Sequence, residues 1–225
     1  MLKLPIVVLN LKTYKEATGE RALELCKLVE DVVADYGTSV AVCPQHADIY
    51  RIASKVKIPV LAQHVDPVTP GKNTGWVTPE AVKAAGAVGT LLNHAEHKIP
   101  IEQMKKTLEL IRPLGFSSIV CTADIEESKG AAALGPDMIA VEPPELIGSG
   151  VSVSKAKPEV VSGSVDAIKR VNPKVEVLCG AGITTGDDII KAIQLGTKGV
   201  LLASGIVLAK DQRAAIEDMV RALPR

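Results

Sequence analysis

Side chains that could carry out chemistry stand directly after apolar runs in this sequence. Lys12 follows the first such run, His94 follows a central one, and Glu142 closes a later one. A carboxylate can remove a proton from a carbon next to a carbonyl group, while an ammonium and an imidazole stabilise the oxyanion that forms. The three residue types together therefore indicate proton transfer on a carbonyl compound, provided that the fold brings them together.

Each of these residues also has an ordinary structural interpretation. A single lysine is usually a surface residue, and a lone histidine is usually held by hydrogen bonds in a structural role. A glutamate at a strand end is more often solvated or paired with a lysine. The functional interpretation depends on convergence, because Asn10 and Lys12 follow one predicted strand, His94 and Glu96 follow another, and all the strand ends of a barrel meet on one rim.

Two late segments rich in small residues, 180–182 and 203–205, follow apolar runs. Small residues allow an anion to approach the backbone closely, and in barrel proteins the turns after the last two strands often hold phosphate with backbone N–H groups. A phosphorylated substrate is therefore expected. The alternative is that these turns only mark the start of helices.

The elements that must position these residues alternate regularly along the chain. Short β-branched runs predict eight strands, at 5–10, 39–43, 59–63, 88–93, 117–121, 137–142, 175–179 and 198–203. The runs are nearly continuous in apolar residues, which is typical of parallel strands covered on both faces. Helical spacing is clearest at 19–37, 100–115, 157–173, 184–196 and 211–223, and Gly37 is predicted to cap the first of these helices.

This alternation predicts a (β/α)8 barrel, an α/β fold with a parallel eight-stranded core, formed as one domain by residues 1–225. An open doubly wound sheet is the alternative, but it usually has fewer strands, and no Gly-x-Gly-x-x-Gly follows the first run. The longest irregular stretch, 65–76, is rich in Pro and Gly and is predicted to be a structured loop after the third strand.

Composition argues against several classes of partner. Lys and Arg total 26, as do Asp and Glu, so no global charge would attract nucleic acid or an anionic membrane. No segment approaches the roughly 20 apolar residues of a membrane span, and the first apolar stretch is too short for a signal peptide, so a cytoplasmic location is expected. The four cysteines are far apart, which predicts reduced structural thiols.

Five motifs in register resemble the triosephosphate isomerase family over the whole chain. "NLK" at 10–12 is similar to the family's Asn-x-Lys, "NHAEH" at 93–97 to its His-Ser-Glu-Arg, and "EPPELIGSG" at 142–150 to its Glu-Pro-Val-Trp-x-Ile-Gly-Thr-Gly. "CGAGI" and "LLASG" stand where the family has its phosphate-gripping turns. The resemblance implies interconversion of dihydroxyacetone phosphate and D-glyceraldehyde 3-phosphate in glycolysis and gluconeogenesis, without a cofactor or metal.

The same resemblance implies a role for individual residues. Glu142 would be the catalytic base, His94 the electrophile and Lys12 the cation, with Glu96 in support; pairing a carboxylate base with a neutral histidine is a known property of this family. The predicted substrate-binding residues are Asn10, Leu11, Lys12, Ile147, Gly148, Gly182, Ala203 and Ser204.

The segment after Glu142 resembles the family's lid, the loop that closes over the substrate. Pro143 and Pro144 would stiffen its near hinge, which reduces the entropy lost on closing. The sequence departs from the family at three positions, since Glu145 replaces the tryptophan, Ala95 the serine and His97 the arginine.

The short chain resembles archaeal forms of the family, and its few Asn and Gln with many Val, Ile, Lys and Glu agree with a heat-loving source. Shortened helices and the loop at 65–76, which in this family reaches the neighbouring subunit's active site, predict a homotetramer built as a dimer of dimers. The rival interpretations are another phosphate-binding barrel, such as a phosphosugar epimerase or a biosynthetic synthase, and a catalytically inactive barrel kept as a binding module.

Overall fold

The computed structural model describes residues 2–148, 150 and 152–224 and shows a barrel of parallel strands surrounded by helices. The strands are β1 (Ile6–Asn10), β2 (Ser39–Cys43), β3 (Leu61–Ala62), β4 (Gly89–Leu92), β5 (Ser117–Thr122), β6 (Met138–Val141), β7 (Glu176–Cys179) and β8 (Gly199–Leu202). The prediction of an eight-stranded (β/α)8 barrel is confirmed.

Helices follow the strands along the chain. They are α1 (Glu20–Tyr36), α2 (Ile49–Ala53), α3 (Pro79–Ala84), α4 (Ile101–Ile111), α5 (Ile125–Ala133), α6 (Val153–Ala156), α7 (Pro158–Val171), α8 (Gly186–Gln194), α9 (Ser204–Val207) and α10 (Gln212–Arg221). Short 3-10 turns occur at Lys15–Ala17, His46–Asp48 and Pro144–Leu146. Helix α1 ends as predicted, because Gly37 adopts φ 66° and donates its N–H to the carbonyl of Val33.

The sheet closes almost completely on itself. The strands pair in the order β2-β1-β8-β7-β6-β5-β4-β3, and β1 lies in register with both neighbours, as Ile6 pairs with Ser39 on β2 and with Gly199 on β8. Between β2 and β3 the contact is limited to a parallel bridge from Val42 to Val60. Since every strand runs in the same direction, all the carboxyl ends lie on one rim.

Alternation along each strand divides the core into two layers. Ile6, Val8 and Leu91 belong to a cluster inside the barrel, whereas Val7 and Leu9 pack outward against the helices. Successive side chains of a strand point to opposite faces, so both faces must be apolar here. This explains why the strands are continuous apolar runs in the sequence.

The helices that sequence periodicity did not predict are the short ones and α5. Helix α5 contains Ser128, Gly130 and a run of alanines, so it lacks the spaced large apolar residues that mark a helix. Capping residues fix its start, because Asp124 accepts a hydrogen bond from the N–H of Glu127.

The loop at 65–76 has no regular structure, and side-chain bonds order its base. Asp66 donates its backbone N–H to Val77 and accepts the Val77 N–H through its carboxylate at 2.7 Å. None of the described helices is long and apolar enough to cross a membrane.

Gly199 lies at the start of β8, where it pairs with Ile6 of β1, so a substitution there tests the register that closes the barrel. It has φ +145°, and a Cβ at this position would lie 2.0 Å from the carbonyl oxygen of Ile6. Gly199→Ala is expected to lower the free energy of unfolding by more than about 2 kcal/mol, measured by urea denaturation.

Gly37→Ala is the matched control, since Gly37 also has positive φ but its Cβ would meet no atom within 4 Å. A loss of only about 1 kcal/mol is expected there. Equal losses for the two variants would show that the contact with Ile6 does not limit the fold.

Candidate active site

Glu142 lies at the carboxyl end of β6 with its side chain directed into the rim. Its N–H donates to the carbonyl of Thr122 at 2.7 Å, which extends the β5–β6 pairing by one residue. The residue is 5% exposed, and its Oε2 has no hydrogen-bond partner. A buried carboxylate oxygen without a hydrogen-bond partner is uncommon in folded proteins, and here it faces the interior of the rim.

Gly180, at the end of β7, provides the space that Glu142 occupies. A Cβ at position 180 would lie 2.3 Å from Cγ of Glu142 and 2.7 Å from its Oε1. The backbone of Gly180 does not need positive φ, so its small size is what matters. Sequence analysis assigned this glycine only to a phosphate-binding turn, and its steric role toward Glu142 depends on a tertiary contact.

His94 follows β4 and faces Glu142 across the rim. Its Nε2 lies 3.7 Å from Oε2 of Glu142, and the imidazole is 7% exposed. The backbone N–H of Glu96 donates to Nδ1 at 3.2 Å. Because Nδ1 accepts this hydrogen bond, the proton of the neutral imidazole resides on Nε2, the atom that points into the site.

Lys12 follows β1 in a left-handed conformation, with φ +47°. Its N–H donates to Oδ1 of Asn10 at 2.9 Å, and Gln63 donates to its carbonyl at 2.9 Å. These bonds compensate for a backbone conformation that few residues other than glycine adopt. The ammonium reaches Oε1 of Glu96 at 2.6 Å. Glu96 therefore contacts Lys12 through its carboxylate and His94 through its backbone N–H.

The turns after β7 and β8 pack against each other on the same rim. A Cβ on Gly205 would lie 2.8 Å from the carbonyl oxygen of Ile183, so this glycine permits the close approach. Within the described residues, no hydrogen bond uses the N–H of Gly182, Ser204 or Gly205. Unpaired N–H groups in small-residue turns are suited to bind an oxyanion.

The segment after Glu142 covers this region. Ile147 and Gly148 line a cavity together with Glu142, Gly182 and Ser204. The carboxylate of Glu145 forms an ion pair with Lys157, at the start of α7, which lowers the pKa of Glu145. Ser149, within the predicted lid, lies outside the described residues.

Two cavities meet at the catalytic candidates. The cavity beside Ile147 and Gly148 has a volume of about 30 Å³. The second has a volume of about 780 Å³, and both have Asn10, Lys12 and His94 in their walls.

Buried thiols flank Glu142 on the neighbouring strands. Burial, and then the nearby Glu142 carboxylate, raises the pKa of Cys121 on β5 well above its usual range and has the same effect on Cys179 on β7. Both thiols therefore stay protonated, and no negative charge from them competes with Glu142. All four cysteines are free and buried, as predicted.

The structure brings Lys12, His94, Glu96 and Glu142 together at one rim, but it places Leu11 elsewhere. The Leu11 side chain is fully buried in the outer core, and its predicted role in substrate binding stays a prediction. Among the described residues, no group of three or more His, Cys, Asp or Glu side chains could hold a metal ion.

The fold and the rim define a (β/α)8-barrel protein with a buried carboxylate, an imidazole and two turns of small residues on one rim. The sequence matches the family described as "Triosephosphate isomerase" over residues 5–222. It is 55% identical over 216 residues to a triosephosphate isomerase of Methanothermus fervidus, covering 96% of this chain and 97% of that protein.

Other archaeal relatives are similar over the same length. Identity is 54% to a triosephosphate isomerase of Methanothermobacter thermautotrophicus, with 96% of this chain and 94% of that protein covered. Identity to a triosephosphate isomerase of Methanocaldococcus jannaschii is 48%, with 96% of this chain and 99% of that protein covered. The chain belongs to the triosephosphate isomerase family.

Gly180→Ala tests whether the position of Glu142 depends on the missing side chain at residue 180. The added methyl group must displace the Glu142 side chain, and misplacing a catalytic group by about 1 Å can reduce turnover about 100-fold. We expect kcat for triose phosphate isomerisation to fall on that scale while the protein stays folded.

Gly130→Ala is the control, because a Cβ there meets only Cδ1 of Ile101 at 3.7 Å, an ordinary contact. It should leave kcat unchanged. Wild-type turnover in Gly180→Ala would mean that Glu142 does not need the position seen here.

Proposed function

We propose that this protein interconverts dihydroxyacetone phosphate and D-glyceraldehyde 3-phosphate, as the names of its relatives indicate for them, and so acts in glycolysis and gluconeogenesis. The observation that carries the proposal is the approach of the buried Glu142 carboxylate to Nε2 of His94 at 3.7 Å. This geometry places a base and a hydrogen-bond donor face to face within the rim.

In the proposed mechanism, Glu142 removes a proton from the carbon that bears the hydroxyl group, next to the carbonyl carbon. The C–H electrons form the C=C bond of an enediolate, and the carbonyl oxygen takes up the negative charge. Nε2–H of His94 donates to that oxygen, and the Lys12 ammonium adds positive charge. Protonated Glu142 then returns the proton to the former carbonyl carbon. Nε2 of His94 gives its proton to the oxygen on that carbon and takes up the proton of the neighbouring hydroxyl, whose oxygen becomes the new carbonyl oxygen, so the isomerisation is completed without a cofactor.

Lys12 is available for this role because its present partner is exposed. The Glu96 side chain is 57% exposed and that of Lys12 is 13% exposed, so an incoming anion can replace a partly solvated ion pair. Glu96 keeps its second function, since its backbone N–H fixes the His94 tautomer independently of its carboxylate.

The phosphate group is proposed to bind the N–H groups of Gly182, Ser204 and the lid residue Gly148. Ile147 and Ala203 line the same corner, and Asn10 lies at the junction of the two cavities. Closing residues 144–148 over the substrate excludes water, which strengthens the electrostatic contacts around the enediolate.

Glu142→Gln is the direct test of this mechanism. Glutamine keeps the shape of the side chain but cannot accept the proton, so kcat should fall roughly 10²- to 10⁴-fold in a coupled assay that starts from either triose phosphate. Glu109→Gln, at an exposed position of α4, should match the wild type.

The outcomes separate the function from the residue assignment. A wild-type protein that does not interconvert the two triose phosphates would refute the proposed activity. Full activity in Glu142→Gln would leave the activity in place but exclude Glu142 as the base.

A homotetramer, built as a dimer of dimers, is the assembly that we propose, in a cytoplasmic enzyme. The support is the 780 Å³ cavity beside Lys12, which Thr74, Gly75 and Trp76 from the loop at 65–76 help to line. Trp76 is 53% exposed, although tryptophan favours buried contacts and interfaces. A second copy of the loop would fill the cavity and cover this side chain.

Sedimentation velocity at micromolar concentration should show a species of about four times the 23.7 kDa chain mass. Trp76→Ser should shift the distribution toward smaller species, because it removes an apolar contact from the proposed interface. Val88→Ser changes a residue that is 45% exposed at the opposite end of the barrel and serves as the control. A fully active wild-type monomer would refute the assembly and the role of the loop.

A further inference from the structure

Asn93 begins the loop that carries His94 and Glu96, and its side chain is held by three hydrogen bonds. Its Nδ2 donates to the carbonyl of Cys121 at 2.9 Å and to Oε1 of Glu127 at 2.8 Å. Its Oδ1 accepts the N–H of Ile99 at 3.1 Å, which closes the loop from residue 93 to residue 99. The residue is 2% exposed and has φ +58°, so it is buried in a left-handed conformation.

Glu127 is the partner that holds this amide from outside the loop. One oxygen, Oε1, accepts from Nδ2 of Asn93 and from the ammonium of Lys98 at 2.6 Å. The other, Oε2, accepts the N–H of Ala123 at 2.6 Å, just after the end of β5. A single carboxylate therefore joins both ends of the His94 loop to the neighbouring strand of the barrel.

The three contacts all use the side chain of Glu127 as a hydrogen-bond acceptor. Asn93, Lys98 and Ala123 each present a donor, and a carboxylate is a side chain with acceptors only. A glutamine at position 127 would direct its own N–H groups at one of these donors, whichever way its amide was turned.

Helix capping does not account for this arrangement. Glu127 is the third residue of α5, but the cap of that helix is the side chain of Asp124, which accepts the Glu127 N–H at 2.8 Å. The Glu127 carboxylate instead contacts residues outside α5, namely Asn93, Lys98 and Ala123.

We propose that Glu127 is a positioning residue for His94 and that it acts through Asn93. The inference rests on the proposed isomerase function and adds to it a contact outside the rim that sets the imidazole direction. Among the described residues, the loop has a backbone turn from the N–H of His97 to the carbonyl of His94 at 2.8 Å but no ladder to a neighbouring strand. The angle at which Nε2 faces Glu142 therefore depends on the side-chain contacts of Asn93 and Glu127. A small rotation at residue 93 would move the Nε2 donor away from the substrate oxygen and leave the phosphate corner intact.

Two variants test this proposal in different ways. Glu127→Gln removes the set of acceptors, and Asn93→Gly keeps the left-handed backbone while removing the amide. In both, kcat should fall about 10- to 100-fold and KM should change less than about twofold, because orientation is lost while substrate binding is kept. The double variant should be no slower than the slower single variant, since both changes break one chain of contacts.

Glu126→Gln is the matched control on the same helix. The Glu126 carboxylate is exposed and pairs with Lys129 at 3.1 Å, away from the His94 loop. It should retain wild-type kcat. A second measurement is the ¹⁵N spectrum of the His94 imidazole, in which Glu127→Gln and Asn93→Gly should both change the Nδ1 signal that reports the hydrogen bond from Glu96.

The proposal is wrong if Asn93→Gly has wild-type kcat and an unchanged His94 signal. It is also wrong if Glu127→Gln lowers kcat no more than Glu126→Gln does. If Glu127→Gln does not fold, Asn93→Gly decides alone, because glycine suits its backbone conformation. Absence of isomerase activity in the wild-type protein would refute the proposed function instead, and the imidazole signals would still report whether Glu127 positions His94.

Discussion

The approach of a buried carboxylate to a buried imidazole is the constraint on which the rest of this structure depends. Glu142 and His94 follow different strands, and their side chains, both almost fully buried, approach to 3.7 Å. An unpaired carboxylate oxygen in such a place opposes folding, since it gives up hydration without gaining a hydrogen bond. The arrangement persists because the strands on both sides of Glu142 hold its backbone and Gly180 leaves it room.

Barrel closure supplies the rigidity that this pair requires. Each strand is hydrogen-bonded on both sides, apart from the looser contact between β2 and β3, and the interior is filled by alternating apolar residues. Parallel strands that end at one rim place residues distant in sequence within a few ångströms of each other. The cost of burying polar groups at the rim is offset by the apolar area buried in the two core layers.

The loops of the rim are fixed by side chains, since they have no continuous backbone ladder. Asn10 fixes the turn at Lys12, Asp66 fixes the base of the 65–76 loop, and Asn93 with Glu127 fixes the His94 loop. Short polar side chains suit this task because they bond to nearby N–H groups and tolerate left-handed backbone. The segment predicted to be a lid differs, since the ion pair between Glu145 and Lys157 at its surface is exposed and can be released with little penalty.

The sequence by itself determined the class of fold and the strand ends. Continuous apolar runs, helical spacing and Gly37 are local signals, and each strand follows from residues adjacent in the chain. The residues proposed to carry the chemistry could be named because in a parallel barrel the positions after the strands converge. Short helices and α5 were not predictable in this way, because their apolar residues are too few or too small to form a clear pattern.

Only the tertiary structure decided how those residues contact each other. Gly180 makes room for Glu142, and Glu127 holds Asn93, although the residues of each pair are 34 or more positions apart in the chain. The Leu11 side chain lies in the core, on the opposite face of the strand end from the site. Such contacts depend on barrel register and on side-chain direction. No local pattern encodes them, because the free energy of each contact arises only when the closed barrel brings its two partners together.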